Sequence, residues 1–249
     1  MQALRIPAGV AVLALAIAAA GCSRPAPHAE IAVKSPDSAV TTPDTAAPGW
    51  RSLFDGRNAD QWRAYHGDSL PAGWQVVDGA LTRVAEAGDI VTREQFQDFE
   101  LALEWKVEPG GNSGIFYRVA EAPELKAVWQ SGPEFQVLDD ARHPDGRRPD
   151  TSAGACYGLY PAPRGIVRPA GEWNETRIVV QGTHVEHWLN GSRVVAFELG
   201  SGDWAERVGR SKFATMPRYG REARGHIALQ DHGDWVAYRH IRIRPLAAR

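Results

Sequence analysis

Apolar and polar side chains alternate along residues 99–108: Phe99, Leu101, Leu103, Trp105 and Val107 interleave with Glu100, Ala102, Glu104, Lys106 and Glu108. A period of two sends successive side chains to opposite faces of a strand, so the segment buries one face and leaves the other largely polar. Trp74–Val77 and residues 80–84 flank Asp78-Gly79, and residues 185–189 and 194–198 flank Asn190-Gly191. Both dipeptides accept the left-handed backbone of a two-residue hairpin turn. Residues 115–119, 134–138 and 177–180 read as further strands. Gly225 to Ile243 reads as another hairpin, with Asp231-His232-Gly233-Asp234 as its turn. Helical character is modest and confined to residues 92–98 and 201–207. About ten strands in about 200 residues predict an all-β fold, a two-sheet sandwich or jelly roll with its own core.

The N-terminal segment breaks this pattern. Arg5 precedes an apolar run from Ile6 to Ala20, too short for a membrane-spanning helix and suited to a signal peptide over residues 1–21. Ala19-Ala20-Gly21-Cys22 resembles a bacterial lipoprotein cleavage site, which marks Cys22 for lipidation. Ser23 in place of Asp carries no signal for retention at the inner membrane. Residues 22–48 then form a Pro- and Ala-rich tether, leaving 49–246 as the folded domain. The expected location is the bacterial cell envelope, on the periplasmic side of the outer membrane, with the lipid anchor as the only membrane contact. A net charge of -2 with no basic stripe argues against nucleic acid as a partner. With Cys22 lipidated, Cys156 has no disulfide partner, and it reads as a small buried hydrophobe rather than a nucleophile.

Several segments carry candidate chemistry. In a strand, Glu134 and Gln136 share one face while Phe135 and Val137 share the other, so the apolar pair packs inward and the polar pair faces a concave surface. A glycosidase needs two flanking acids, and Gln136 holds the second place on this strand. Pro109-Gly110-Gly111-Asn112-Ser113-Gly114 lacks the Lys-Ser/Thr of a phosphate loop; Asn112 and Arg118 offer hydrogen bonds to sugar hydroxyls instead. Asp139, Asp140, His143 and Asp145 suit a divalent ion by donor type, but their spacing matches no metal loop. A self-capping polar loop fits better, and neither a metal nor another cofactor is indicated. His232, held between Asp231 and Asp234 at a sheet rim, offers an imidazole, the side chain most often used to move a proton.

Taken together, these segments resemble the 3-keto-disaccharide hydrolase domain family. The resemblance runs from Gly49-Trp50-Arg51-Ser52-Leu53-Phe54-Asp55-Gly56 through Asn112-Ser113-Gly114-Ile115, Glu134-Phe135-Gln136-Val137-Leu138-Asp139, His143-Pro144-Asp145 and Gly154-Ala155-Cys156-Tyr157. It continues through Glu172-Trp173-Asn174 and Leu189-Asn190-Gly191 to Leu229-Gln230-Asp231-His232-Gly233. Two positions depart from it: Cys156 stands where an aliphatic residue is usual, and His226 where a small residue or proline is common. The resemblance implies a concanavalin A-like jelly roll, export, and hydrolysis of glycosides whose C3 hydroxyl has been oxidised to a ketone. Such a ketone acidifies the C2 proton, so a base, an acid and donors for an enolate suffice. His232 is the expected base and Glu134 the acid or second base. Asn112, Arg118, Gln136, His143, Asp145 and Asp231 are expected to bind substrate. The competing readings are a non-catalytic lectin-like glycan-binding module and an ordinary glycosidase with a second acid facing Glu134.

Overall fold

In the computed structural model the described residues are 49–248; the signal peptide, Cys22 and the tether expected ahead of them lie outside this range. In chain order the strands are β1 (Arg51–Phe54), β2 (Trp62–Ala64), β3 (Trp74–Val77), β4 (Ala80–Arg83), β5 (Ile90–Thr92), β6 (Phe99–Val107) and β7 (Asn112–Val119). They continue with β8 (Glu134–Leu138), β9 (Asn174–Gln181), β10 (His184–Leu189), β11 (Ser192–Glu198), β12 (His226–Leu229) and β13 (Val236–Pro245). One sheet runs β11-β10-β9-β6-β13-β4-β3, with β1 also paired to β13; the other runs β2-β5-β12-β7-β8. All pairings are antiparallel, so the expected jelly-roll β-sandwich is what forms.

The core is the set of inward alternations read from the sequence. Phe99, Leu101 and Trp105 of the larger sheet meet Ile115, Tyr117, Phe135 and Val137 of the smaller one, all at 0% exposure. Each such side chain contributes about 1.5–3 kcal/mol relative to exposure. Trp62, Trp74 and Trp105 are buried, and their ring N–H groups donate to the Leu53 and Gly88 carbonyls and the Thr176 hydroxyl. Both predicted tight turns form: Asp78 and Gly79 have φ of 49° and 75°, and Asn190 and Gly191 have φ of 48° and 80°.

Two expectations fail. Residues 92–98 are not helical: Thr92 ends β5, and Phe96 exchanges backbone hydrogen bonds with Gly225 at 2.7 and 3.0 Å. Burial of Phe96 against Phe99 overrides the weak local propensity. The C-terminal hairpin is also absent, because β12 and β13 belong to different sheets. Leu229 pairs with Ile115, whereas Val236 pairs with Val107 and Arg83, so Asp231–Asp234 is an arch between the sheets. The other helical stretch does form: α1 (Gly202–Gly209) starts at a Ser201 cap whose hydroxyl accepts from the Trp204 amide, and Trp204 is buried.

Candidate active site

The outer face of the smaller sheet can be read row by row from its register. Val91 pairs with Ala228, Ala228 with Phe116, and Phe116 with Glu134, which makes a transverse row of three apolar residues ending in a carboxyl group. These apolar side chains form a second buried cluster with Val119 and Val128, and Tyr65 and Trp129 pack against it. The next row is polar. Gly114 pairs with Gln136 on one side, and on the other its carbonyl accepts from the Gln230 amide at 3.0 Å. Asp89 completes the row, its Oδ1 accepting from the Asp231 amide at 3.0 Å. Asn112 lies one row further along β7, and its Nδ2 is 3.4 Å from His232 Nε2.

Gly114 explains how Glu134 enters the polar row. A Cβ on Gly114 would lie 2.4 Å from Glu134 Oε1, so the missing side chain is the space that the carboxyl occupies. Glu134 is 6% exposed. Burial pushes its carboxyl up to about 8; the Lys212 ammonium pulls it down, while the charges of Asp89 and Asp145 add to the rise. Burial also raises Asp89, to about 6, against the hydrogen bond from the Asp231 amide. The row thus holds one carboxyl protonated at neutral pH and, toward its β5 end, one that is largely ionised. Two carboxyl groups with separated acidities are the means of dividing acid and base roles in one site.

The walls come from loops. His143 and His232 set their rings perpendicular with centroids 6.5 Å apart, and His232 is exposed to solvent. His143 Nδ1 accepts from the Asp145 amide and caps the short 3₁₀ turn Pro144–Arg147. Asp145 Oδ2 accepts from the Tyr157 hydroxyl at 3.2 Å, and Lys212 Nζ lies 4.3 Å from the Tyr157 ring centre. A hollow of about 380 Å³ opens beside His232, Arg83 and Glu86. Another of about 460 Å³ opens beyond Tyr157 and Lys212.

Asn112, Glu134, Gln136, His143, Asp145 and His232, all named as candidates from the sequence, are thus brought to this one face and its walls. Arg118 is not, and the Asp231 carboxylate, although it lines the hollow beside His232, is held by protein groups. A bulge gives β7 one extra residue against β12 between Phe116 and Val119, and Arg118 takes φ 53° there. The alternation is broken, and the Arg118 guanidinium donates to the Gln97 carbonyl at 3.1 Å and the Gly182 carbonyl at 2.7 Å, with Asp98 3.6 Å away. Its role is to tie loops to the sandwich. Asp231 is likewise committed to protein groups. Oδ1 accepts from Arg83 Nε at 2.7 Å and Gly233 N at 3.0 Å, and Oδ2 from Ala87 N at 2.7 Å and Gly88 N at 2.9 Å. It anchors the arch that carries His232 and lines the hollow beside that residue.

The acidic loop behaves as a self-capping loop. Asp139 accepts from the Gly110 and Ala141 amides, and Asp140 from the Ala153 amide. Burial, with the nearby charge of Glu134 adding to it, pushes the Cys156 thiol far up, so it stays protonated and packs as a core residue. Asp89, Gln230, Tyr157 and Lys212 escaped the sequence reading. Asp89 in Gly88-Asp89-Ile90 looks like any turn residue before a strand. Gln230 follows the last alternating position of β12, and that alternation was the available signal for its facing.

The smaller sheet of this antiparallel sandwich thus carries two carboxyl groups of raised pKa on one face, with aromatic rings and an exposed histidine around them. Residues 49–244 match the 3-keto-alpha-glucoside-1,2-lyase-like domain family. The chain is 34% identical to a 3-keto-disaccharide hydrolase of Bacteroides thetaiotaomicron, over 80% of this chain and 79% of that relative. A solved structure from Parabacteroides distasonis, described as a glycosyl hydrolase, superposes with a TM-score of 0.76 at 34% identity, covering 84% of this chain and 99% of that one. A second from the same organism gives 0.64 at 28% identity, covering 79% and 99%. The chain belongs to the 3-keto-alpha-glucoside-1,2-lyase-like family. It is a glycoside-hydrolase-like enzyme in kind.

Proposed function

We propose that the protein cleaves 3-keto-glycosides, disaccharides among them, by elimination followed by hydration. The observation that carries this reading is the Glu134 carboxyl, buried in this face and holding its proton to about 8, with the charge of Asp89 adding to the rise. His232, exposed and next to Asn112, takes the C2 proton. The C–H pair becomes the C2=C3 double bond of an enolate, whose oxygen meets the Asn112 amide. The enolate collapses to a C1=C2 double bond, the C1–O bond breaks, and Glu134 gives its proton to the departing oxygen. Water then adds at C1: the Glu134 carboxylate takes the water proton, and His232 returns its proton to C2. All protons are restored, and the net reaction is hydrolysis.

An ordinary glycosidase is the second reading, and Asp89 favours it as a second acid whose charge reaches Glu134. One comparison separates the two: incubation with a disaccharide and with its 3-keto derivative, with monosaccharide release followed by chromatography. Release from the keto sugar alone is expected, and it should be lost in both His232→Ala and Glu134→Ala. Cleavage of the unoxidised sugar would establish the second reading instead. Binding without release, unchanged in His232→Ala, would leave a lectin-like module.

The same proposal places the domain in the bacterial envelope. Cys22 carries lipid and residues 22–48 tether the sandwich on the periplasmic side of the outer membrane. Membrane fractionation is the check: Cys22→Ser should move the protein to the soluble fraction, and its retention with membranes would refute anchorage.

A further inference from the structure

Two amide oxygens on the polar row lack what a folded protein normally provides. Gln136 Oε1 and Gln230 Oε1 are both buried, and neither has a hydrogen-bond partner among the described residues. Such atoms are rare because each carries the desolvation cost of an unmade hydrogen bond. The orientation of the Gln136 amide is set by its neighbour: Nε2 donates to the Thr151 carbonyl at 3.2 Å, which needs a donor, so the remaining atom is an acceptor.

The placement of the two is symmetrical. Gln136 pairs with Gly114 across β8, and the Gln230 amide bonds the Gly114 carbonyl from β12, so the glutamines stand on the strands either side of β7. Strand spacing puts their Cα atoms about 10 Å apart. What binds there would therefore supply a hydrogen-bond donor to each of the two glutamines. A ketone has no hydrogen to give, but a 3-keto sugar carries hydroxyl groups on C2 and C4, one on each side of it.

We infer that Gln136 and Gln230 form a clamp that accepts the two hydroxyl groups flanking the ketone and so selects the oxidised carbon's position on the ring. This rests on the keto-glycoside reading. It assigns Gln230 a specificity-determining role, and it assigns the ligand class as a ring ketone between two hydroxyl-bearing carbons. The Gln136 amide also holds the Thr151 carbonyl, whereas the Gln230 side chain makes no such bond among the described residues.

The test uses the full-length protein, Gln136→Met and Gln230→Met, a 3-keto-disaccharide, and its analogue lacking the C4 hydroxyl on the oxidised ring. Each variant should lose about 10–100-fold in kcat/KM on the parent substrate. On the 4-deoxy analogue one of the two losses should vanish, because the hydroxyl partner is already gone. Gln230→Met should also raise Tm by about 2–4 °C, since it removes a buried acceptor that has no donor, a gain that a merely structural glutamine would not show. Equal losses on both substrates, or no loss in either variant, would overturn the clamp while keto-sugar cleavage stood. If the wild type cleaves no keto sugar, the functional reading fails first. Calorimetric binding of the unoxidised disaccharide then decides the clamp: weaker binding in both variants supports it, and equal binding refutes it.

Discussion

Glu134→Gln is expected to lower kcat by about 10²–10⁴-fold while leaving the fold intact and altering how stability depends on pH. The amide has nearly the shape of the carboxyl and fits the space that Gly114 leaves, but it has no acidic proton for the departing oxygen. In the wild type the folded carboxyl keeps its proton to about 8, whereas an ordinary Glu releases it near 4.5. Between those values the native state binds a proton that the unfolded state does not. The stability linked to that proton is therefore fully present below 4.5 and is lost as pH rises through 8. The slope approaches about 1.4 kcal/mol per pH unit inside the window. Denaturant titrations between pH 5 and pH 8.5 should show a fall in wild-type stability that flattens in Glu134→Gln. Activity in the wild type should decline on the alkaline side as the acid is lost. A variant with wild-type kcat, or one with an unchanged pH slope, would remove Glu134 from the acid role.

Asp231→Ala carries the largest expected loss of stability, about 3–5 kcal/mol. The carboxylate side chain is 4% exposed and faces Arg83, itself only 12% exposed. Burial pushes the Asp231 carboxyl up, but the amides of Ala87, Gly88 and Gly233 and the Arg83 guanidinium more than offset this and hold it below the usual range. Truncation leaves a guanidinium and three amides without their acceptor at the base of the arch that carries His232. Activity should fall as well, even at temperatures where the variant is folded, because that arch positions the base. Asp231→Asn retains part of the acceptor set and should fall between the two. The comparison is made by urea melts together with kcat/KM at 15 °C. A loss below about 1 kcal/mol would show that the arch is held by other contacts.

The parts of this protein that were legible in its sequence are those governed by neighbours along the chain. Alternation over β6 and β8 gave the inward faces, because a strand's side chains alternate whatever the sheet does. Asp78-Gly79 and Asn190-Gly191 announced their turns through backbone conformations that few residue pairs accept. Glu134 and Gln136 were placed together by the same logic. The errors fall where contacts distant in sequence compete with local preference. Residues 92–98 lost their helical tendency to the Phe96 pairing with Gly225, and β12 and β13, next to each other in sequence, chose different sheets because Val107 and Ile115 offered better partners.

Arg118 shows the limit most sharply. It stands two residues beyond Phe116 and should share the face of Asn112 and Glu134, yet one bulge turns it to Gln97 and Gly182. From the chain alone one could determine the class of fold, the family and most of the residues that line the open face, since these follow from period, turn chemistry and motif order. Only the tertiary structure could decide that Asp89 and Gln230 join Glu134 in one row, that Asp231 serves the arch, and that Glu134 keeps its proton. Those outcomes depend on register between strands and on removal from water, and neither quantity exists until the sheets have closed over one another.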